Sequence, residues 1–353
     1  MGTGPNHVQP VDPPHPDGWQ RERASVARIV LTAVRTAQAV LALALAAAAL
    51  AFRRRGVRIL RISRVVADLD RARRFYRDGL GFRCVGAGPG DPALAALLGL
   101  PGVLMQETVM RLGREEVALV RFDPTGPAYP PDSRSNDLWF QHLAIVVGDM
   151  DEAFRRVSAL APQAISADGP VVLPPRNGGV TAWKFRDPDG HPLELIHFPP
   201  GTGRARWQHP GAGPFGVDHS AIAAADTARS VRHYRRLGFR VPERSWNHGP
   251  AQERLDGLPG ARAHVTGLRP LGRDGPGLEL LAYAPLGRRA LDTPANAVVT
   301  DWVTLVCSGF RRGVRLADGT RAALLRDPDG HRMVLVSRNG ALTGLRPRRP
   351  AAR

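Results

Sequence analysis

The chain has 353 residues, 43% hydrophobic and 23% charged, with 38 Gly, 32 Pro, 2 Cys and a formal net charge of +17. That apolar fraction excludes a wholly disordered chain, and two cysteines exclude a disulfide scaffold or a thiolate zinc cluster. The length points to two domains or to several small repeated units. The charge raises nucleic acid as a partner, but its distribution argues against one. Residues 1–56 carry seven Arg against three acids, and residues 338–353 carry five Arg and no acid, so about half of the excess lies outside the body. Within the body Arg alternates with Asp and Glu, with no aromatic-studded basic stripe of the kind that nucleic-acid platforms use. Lys occurs once, at Lys184, so the positive charge reads as compositional bias.

In chain order, residues 1–35 form a Pro- and Gly-rich, basic segment expected to be disordered. Residues 36–56 are an apolar helical stretch in which Thr36 to Phe52 is uncharged, near the lower length limit for a membrane span. Three readings stand: an anchor, a signal peptide with Ala49-Leu50-Ala51 as a cleavage site, or an over-extended start before a body beginning near Val57. The body is expected in the cytoplasm, with residues 36–52 its only link to a membrane.

The body repeats itself. Val65 to Asp70 runs into RARRFYRDGLGFR, Val146 to Asp151 into EAFRRV, and Ala223 to Asp226 into TARSVRHYRRLGFR. Each reads as an apolar strand, an Asp that caps the next element, and a short amphipathic helix. In the second copy Phe154, Val157 and Leu160 recur at helical spacing. Pro92–Gly102 resembles Pro250–Gly260, and Phe185–His191 (FRDPDGH) matches Leu325–His331 (LRDPDGH). An Asp-Pro-Asp-Gly turn between apolar strands predicts a hairpin. The predicted architecture is α+β: four tandem βαβββ modules at 57–123, 137–199, 214–286 and 297–337, the fourth truncated without its helix, then a basic disordered tail at 338–353.

The DLDRARRFYRDGLGF and RDPDGHPLEL stretches resemble the vicinal oxygen chelate superfamily, which includes glyoxalase I, extradiol dioxygenases and bleomycin-binding proteins. The resemblance covers about residues 57–337. It implies that modules pair into half-open β-barrels, each holding a divalent metal on the first and last strands of its two modules. Seven residues before the capping Asp stand His142 in the second module, His219 in the third and Arg61 in the first; the best alignment of the fourth gives Asp301. On the last strands the matching positions are Glu194, Glu279, Ala118 and Val334. The metal set is therefore His142, Glu194, His219 and Glu279, all from the middle modules. Modules 2 and 3 then form the metal cup, and modules 1 and 4 a degenerate shell.

The strand pattern agrees. His142 shares a face with Ala144 and Val146, and His219 with Ala221 and Ala223, which leaves room beside each imidazole. Glu194 and Glu279 sit in apolar strands, where an ionised carboxylate needs a partner. Taken singly, each residue reads as a satisfied core histidine or a solvent-facing glutamate; the matched set reads as a metal site. Two nitrogen and two oxygen ligands suit Zn, Fe(II), Mn, Ni or Co. The substrate is expected to be a small molecule with vicinal oxygens. The resemblance to glyoxalase I makes Glu279 or Glu194 the catalytic base, with glyoxalase-like lyase or isomerase chemistry. The alternatives are an extradiol-type dioxygenase and a non-catalytic binding protein of the bleomycin-resistance kind. Trp183 and Lys184, before the turn, and Asn247, His248 and Gln252, in the loop before the third module's extra helix, are weaker substrate candidates. His191 and His331 are expected to stabilise their turns, and Cys84 and Cys307 to be buried free thiols. The oligomeric state is not legible in the sequence.

Overall fold

Short apolar runs broken by capping Asp and turn residues become strands and helices in a computed structural model that describes residues 57–271, 275–288, 293–307 and 313–337. The apolar segment at 36–52 and the basic tail lie outside the described residues. Among the described residues, no helix is long and apolar enough to cross a membrane.

The first group of elements is β1 (Arg58–Val65), α1 (Leu69–Asp78), β2 (Arg83–Pro89), α2 (Pro92–Leu97), β3 (Leu104–Leu112) and β4 (Glu115–Asp123). The second is β5 (Gln141–Val146), α3 (Met150–Ser158), β6 (Gln163–Ala164), β7 (Val171–Val172), β8 (Thr181–Arg186) and β9 (Pro192–His197). The third is β10 (Gly216–Ala223), α4 (Thr227–Arg236), β11 (Phe239–Arg240), β12 (Arg244–His248), α5 (Pro250–Asp256), β13 (Arg262–Pro270) and β14 (Gly277–Ala284). The last is β15 (Asp301–Cys307), β16 (Val314–Arg315), β17 (Arg321–Arg326) and β18 (Arg332–Ser337), with no described helix between β15 and β16. Each long helix starts as its sequence predicts. Asp68, Asp149 and Asp226 accept from the backbone N–H groups of Arg71, Glu152 and Arg229, satisfying donors that a first helical turn leaves free. In α3 the buried face is Met150, Ala153 and Val157. Leu160, expected on it, lies past the helix end and is exposed.

The strands assemble into two open sheets. One runs β16-β17-β18-β15-β1-β4-β3-β2, and the other β11-β13-β14-β10-β5-β9-β8-β6. The nested arrangement expected from the ligand positions is therefore the observed one: β5 pairs with β10, and β1 with β15, both antiparallel. One core cluster takes side chains from both sheets, among them Ile62, Leu119 and Leu305 from the first and Leu143, Leu195 and Leu280 from the second.

The Asp-Pro-Asp-Gly turns lock the groups together. Asp187 Oδ1 accepts from the backbone of Asp189 and His191, and Asp327 Oδ1 from Asp329 and His331. The imidazoles reach across: His191 Nε2 lies 2.7 Å from Val65 O and His331 Nε2 2.9 Å from Ala223 O. Tyr76 and Tyr234 donate to Asp187 and Asp327. Both histidines thus sit in the structural role expected of them.

Two expectations need correction. In the fourth group the residue matching His142 is Trp302, not Asp301. Ala144 pairs with Glu194, Ala221 with Glu279 and Ser63 with Ala118, each two residues after the His142-like position; Thr304 pairs with Val334, which puts Trp302 at that position. Asp301 points to the other face of β15 and pairs with Arg64 at 3.0 Å. The second correction concerns the thiols: Cys84 is exposed because β2 is an edge strand, and Cys307 is half-buried.

Candidate metal centre

Equivalent positions of the two sheets have had different fates. In the first sheet Trp302 is 1% exposed and packs with Ala118, Val334 and the α2 residue Ala95. Arg61, at the His142-like position, is held by Glu107 and Glu116. An indole, a helix and ion pairs fill that concave face. In the second sheet the same positions carry His142, Glu194, His219 and Glu279, and they border a cavity of about 1030 Å³.

Strand register places these four side chains. His142 stands opposite Ala221, which in turn stands opposite Glu279; Ala144 stands opposite both His219 and Glu194. The two imidazole centroids are 5.7 Å apart. His142 Nε2 lies 3.1 Å from Glu194 Oε2, and His219 Nε2 lies 3.9 Å from that oxygen and 3.3 Å from Glu279 Oε2. Ligand bonds of about 2.1 Å put neighbouring donors about 3.0–3.4 Å apart on an octahedral or tetrahedral ion; the 3.1 and 3.3 Å spacings fit that range, and the 3.9 Å spacing is wider. The tightest set is His142, Glu194 and His219, whose candidate ligand atoms all lie within 4.8 Å of one another. Glu279 stands just outside it and is the most exposed of the four, with a side chain 22% accessible.

Among the described residues, His142 Nδ1, His142 Nε2 and His219 Nε2 are buried without a hydrogen-bond partner. Buried polar atoms seldom stay unpaired, and nitrogens aimed with carboxylates at one point fit a cation. His219 is oriented from behind: its Nδ1 lies 3.0 Å from Asp218 Oδ2, and Asp218 also accepts from Trp207 Nε1 at 2.6 Å and Arg269 Nη2 at 2.9 Å. This carboxylate–histidine pairing is the usual support of a metal-binding imidazole. Sequence alternation would send Asp218 and His219 to opposite faces. A register irregularity between Val217 and His219 brings them together, as a β-bulge does.

Electrostatics separates the four roles. Burial and the neighbouring Lys184 lower the His142 pKa to about 4, so its imidazole is neutral at pH 7. Burial alone would raise Glu194, but His142 and Lys184 outweigh it and hold this carboxylate down at about 2. Burial opposes charge on His219 too, yet Glu279 and Asp218 lift it to about 9. Glu279 is pushed up, chiefly by burial, despite the pull of His219.

The weaker substrate candidates divide. Asn247 and Gln252 line the cavity. Asn247 accepts from Asn177, and Gln252 Nε2 donates to Asp256. Trp183 does not reach the cavity: it is 2% exposed, stacked on Phe185 and bonded to Ser166 O in the shared core. Adjacent strand residues face opposite ways, and at this pair Lys184 takes the cavity side. His248 is not among the cavity-lining residues and lies near Trp246. Asp218, Asp256 and Tyr283 were not singled out from sequence, because no motif marks them.

Comparison with known proteins agrees with this fold. The family described as Glyoxalase/Bleomycin resistance protein/Dioxygenase superfamily matches residues 58–195. The fold is similar to that of glyoxalase I from Zea mays, at 15% identity and a TM-score of 0.55 over 81% of this chain and 94% of that one. Two variants of the same maize enzyme align at 17% and 16% identity, with TM-scores of 0.56 and 0.57, over 81% and 83% of this chain and 95% and 96% of theirs. No curated protein matches the chain. Residues 58–195 thus match the model of that superfamily, and the fold over most of the described chain is similar to that of maize glyoxalase I.

Proposed function

We propose that this protein is a divalent-metal-dependent enzyme of the glyoxalase type, acting on a small substrate with adjacent oxygens. The observation that carries the reading is the set of imidazole nitrogens unpartnered among the described residues, on histidines that border one cavity with Glu194 and Glu279. His142, Glu194 and His219 would hold the ion, with Glu279 as a fourth and looser ligand; Zn, Fe(II), Mn, Ni and Co suit such donors. When bound, the metal acts as a Lewis acid that polarises a substrate carbonyl.

The protein's own groups divide the remaining work. Glu279 is favoured over Glu194 as the base that removes the proton next to that carbonyl. It lies outside the tight ligand set, burial raises its proton affinity, and part of its side chain is accessible. A carboxylate raised in this way works nearer neutral pH. Glu194, held ionised with the Lys184 ammonium beside it, is a poor base and a good permanent ligand. The reaction class is proton transfer at a carbon flanked by oxygens, as in an isomerase or lyase.

The test is solvent exchange. Zinc-loaded protein in D2O with dihydroxyacetone is expected to place deuterium on the carbon beside the carbonyl faster than zinc-free protein does, and the Glu279→Gln variant is expected to lose that rate. No exchange above background in the wild type would overturn the reading. A second reading has its own support, since His142, Glu194 and His219 alone form the two-histidine, one-carboxylate set of non-haem iron oxygenases. Oxygen uptake by anaerobically Fe(II)-loaded protein on addition of catechol would favour that alternative.

A further inference from the structure

Lys184 is the one lysine in the chain; every other residue of the Lys and Arg total is Arg. It stands at a buried position, as Arg64 and Arg186 also do. Lys184 is 3% exposed and borders the cavity. It stands directly across the β8–β9 ladder from Glu194, so the two side chains leave the sheet on the same face, as cross-strand neighbours do.

Its ammonium is held by one firm contact. Nζ lies 2.7 Å from Asp256 Oδ1, while Asp256 Oδ2 accepts from Gln252 Nε2 at 2.7 Å and Tyr283 Oη at 3.1 Å. Asp256 is itself the last residue of α5, fixed by tight packing. Gly257 follows with φ of +58°, and a Cβ there would lie 2.5 Å from Ile165 O. Three side chains from α5 and β14 thus hold one ammonium. An ammonium has three donors, and among the described residues Asp256 is its one hydrogen-bonded acceptor. A tie between α5 and β8 needs only that contact. The remaining donors belong to a buried cation beside the carboxylate end of the metal cluster, where an unfilled donor costs free energy.

We propose that Lys184 is a catalytic residue, whose ammonium donates a hydrogen bond to the substrate oxygen on which negative charge develops. This rests on the metal site proposed above. It narrows the substrate class to molecules that present an anionic oxygen, or an oxygen becoming anionic, toward β8 while their other oxygen atoms face His142 and His219. Arg would not serve as well, because its planar fork is larger and cannot turn a compact point charge onto one oxygen.

The sole lysine makes the test clean. In protein labelled with 13C at lysine Cε, one residue supplies the signal. On titrating zinc-loaded protein with acetohydroxamate, an anionic bidentate chelator, that signal is expected to move with the binding curve. The Lys184→Met/Asp256→Asn pair, which leaves no unpaired buried carboxylate, is expected to bind zinc at least as tightly as wild type but acetohydroxamate about 10- to 100-fold more weakly, the scale of a hydrogen bond to a charged group. Lys184→Arg is expected to recover only part of that loss. An unmoved signal together with unchanged acetohydroxamate affinity would overturn the proposal and reduce Lys184 to a tie between α5 and β8, leaving the metal site intact. A wild type that binds no zinc would remove both the metal site and this role.

Discussion

In the proposed metal site, the protonation of His219 would set how a cation is taken up. In the metal-free protein its pKa is lifted to about 9, because Glu279, Asp218 and Glu194 outweigh the cost of burying the charge. Nδ1 is committed to Asp218, so a cation must displace the proton on Nε2. Glu194 at about 2 and His142 at about 4 are already in their ligand forms at neutral pH. The sign follows: a raised pKa favours the protonated imidazole below 9, and the proton competes with the metal there. At pH 7 the two pH units cost about 2.7 kcal/mol of binding free energy, at about 1.36 kcal/mol per unit. Zinc affinity, measured by competition with a chromophoric chelator of known proton affinity, should rise about tenfold per unit between pH 6 and 8 and bend over near pH 9. Calorimetry in buffers of different ionisation heat should find close to one proton released per zinc from His219 at pH 7. Asp218→Asn removes one of the charges that lift His219, so the bend should move to lower pH. A wild-type profile flat from pH 6 to 8, or a bend that Asp218→Asn leaves in place, would mean that the His219 proton does not compete with the cation.

Other consequences are structural. Arg64 is fully buried against Asp301, and removing one partner strands the other, so Asp301→Ala should destabilise the fold by about 3–5 kcal/mol in urea unfolding, with Arg64→Met/Asp301→Leu costing much less. Trp302→Ala should cost about 3–5 kcal/mol by the cavity it leaves, with no effect on zinc binding, since Trp302 belongs to the first sheet. Gly257→Ala should lower the melting temperature, because the new side chain would meet both a positive φ and the Ile165 carbonyl. Cys84 should react with iodoacetamide much faster than Cys307, whose thiol is lifted to about 11 by burial.

Much of the fold was legible because its punctuation is local. A capping Asp and a DPDGH turn act within a few residues, and each recurs at matched places in the chain. The four candidate ligands could be read for the same reason, since their offsets from those markers are constant. Legibility ended where the markers did. With no helix-capping Asp after β15, the fourth register slipped by one residue, and one residue is enough to send Asp301 to the wrong face of a strand. Asp218 was hidden by the irregularity in β10, which period-two alternation does not anticipate. Lys184 and Trp183 looked equivalent as neighbours, and only the pairing of β8 with β9 decides which of them meets the cavity. Asp256 and Tyr283 meet Lys184 through tertiary packing of α5 and β14, which leaves no trace in local spacing.

In the proposed site one ion would sit between the second and third groups of strands on His142, Glu194 and His219. The most direct test is the metal content, by elemental analysis, of protein loaded with zinc and dialysed, for the wild type and for the His142→Ala and His219→Ala variants. One zinc per wild-type chain is expected, and loss of that zinc in both variants, each still folded by circular dichroism. A wild type that retains no zinc, or variants that retain it in full, would contradict the proposed site.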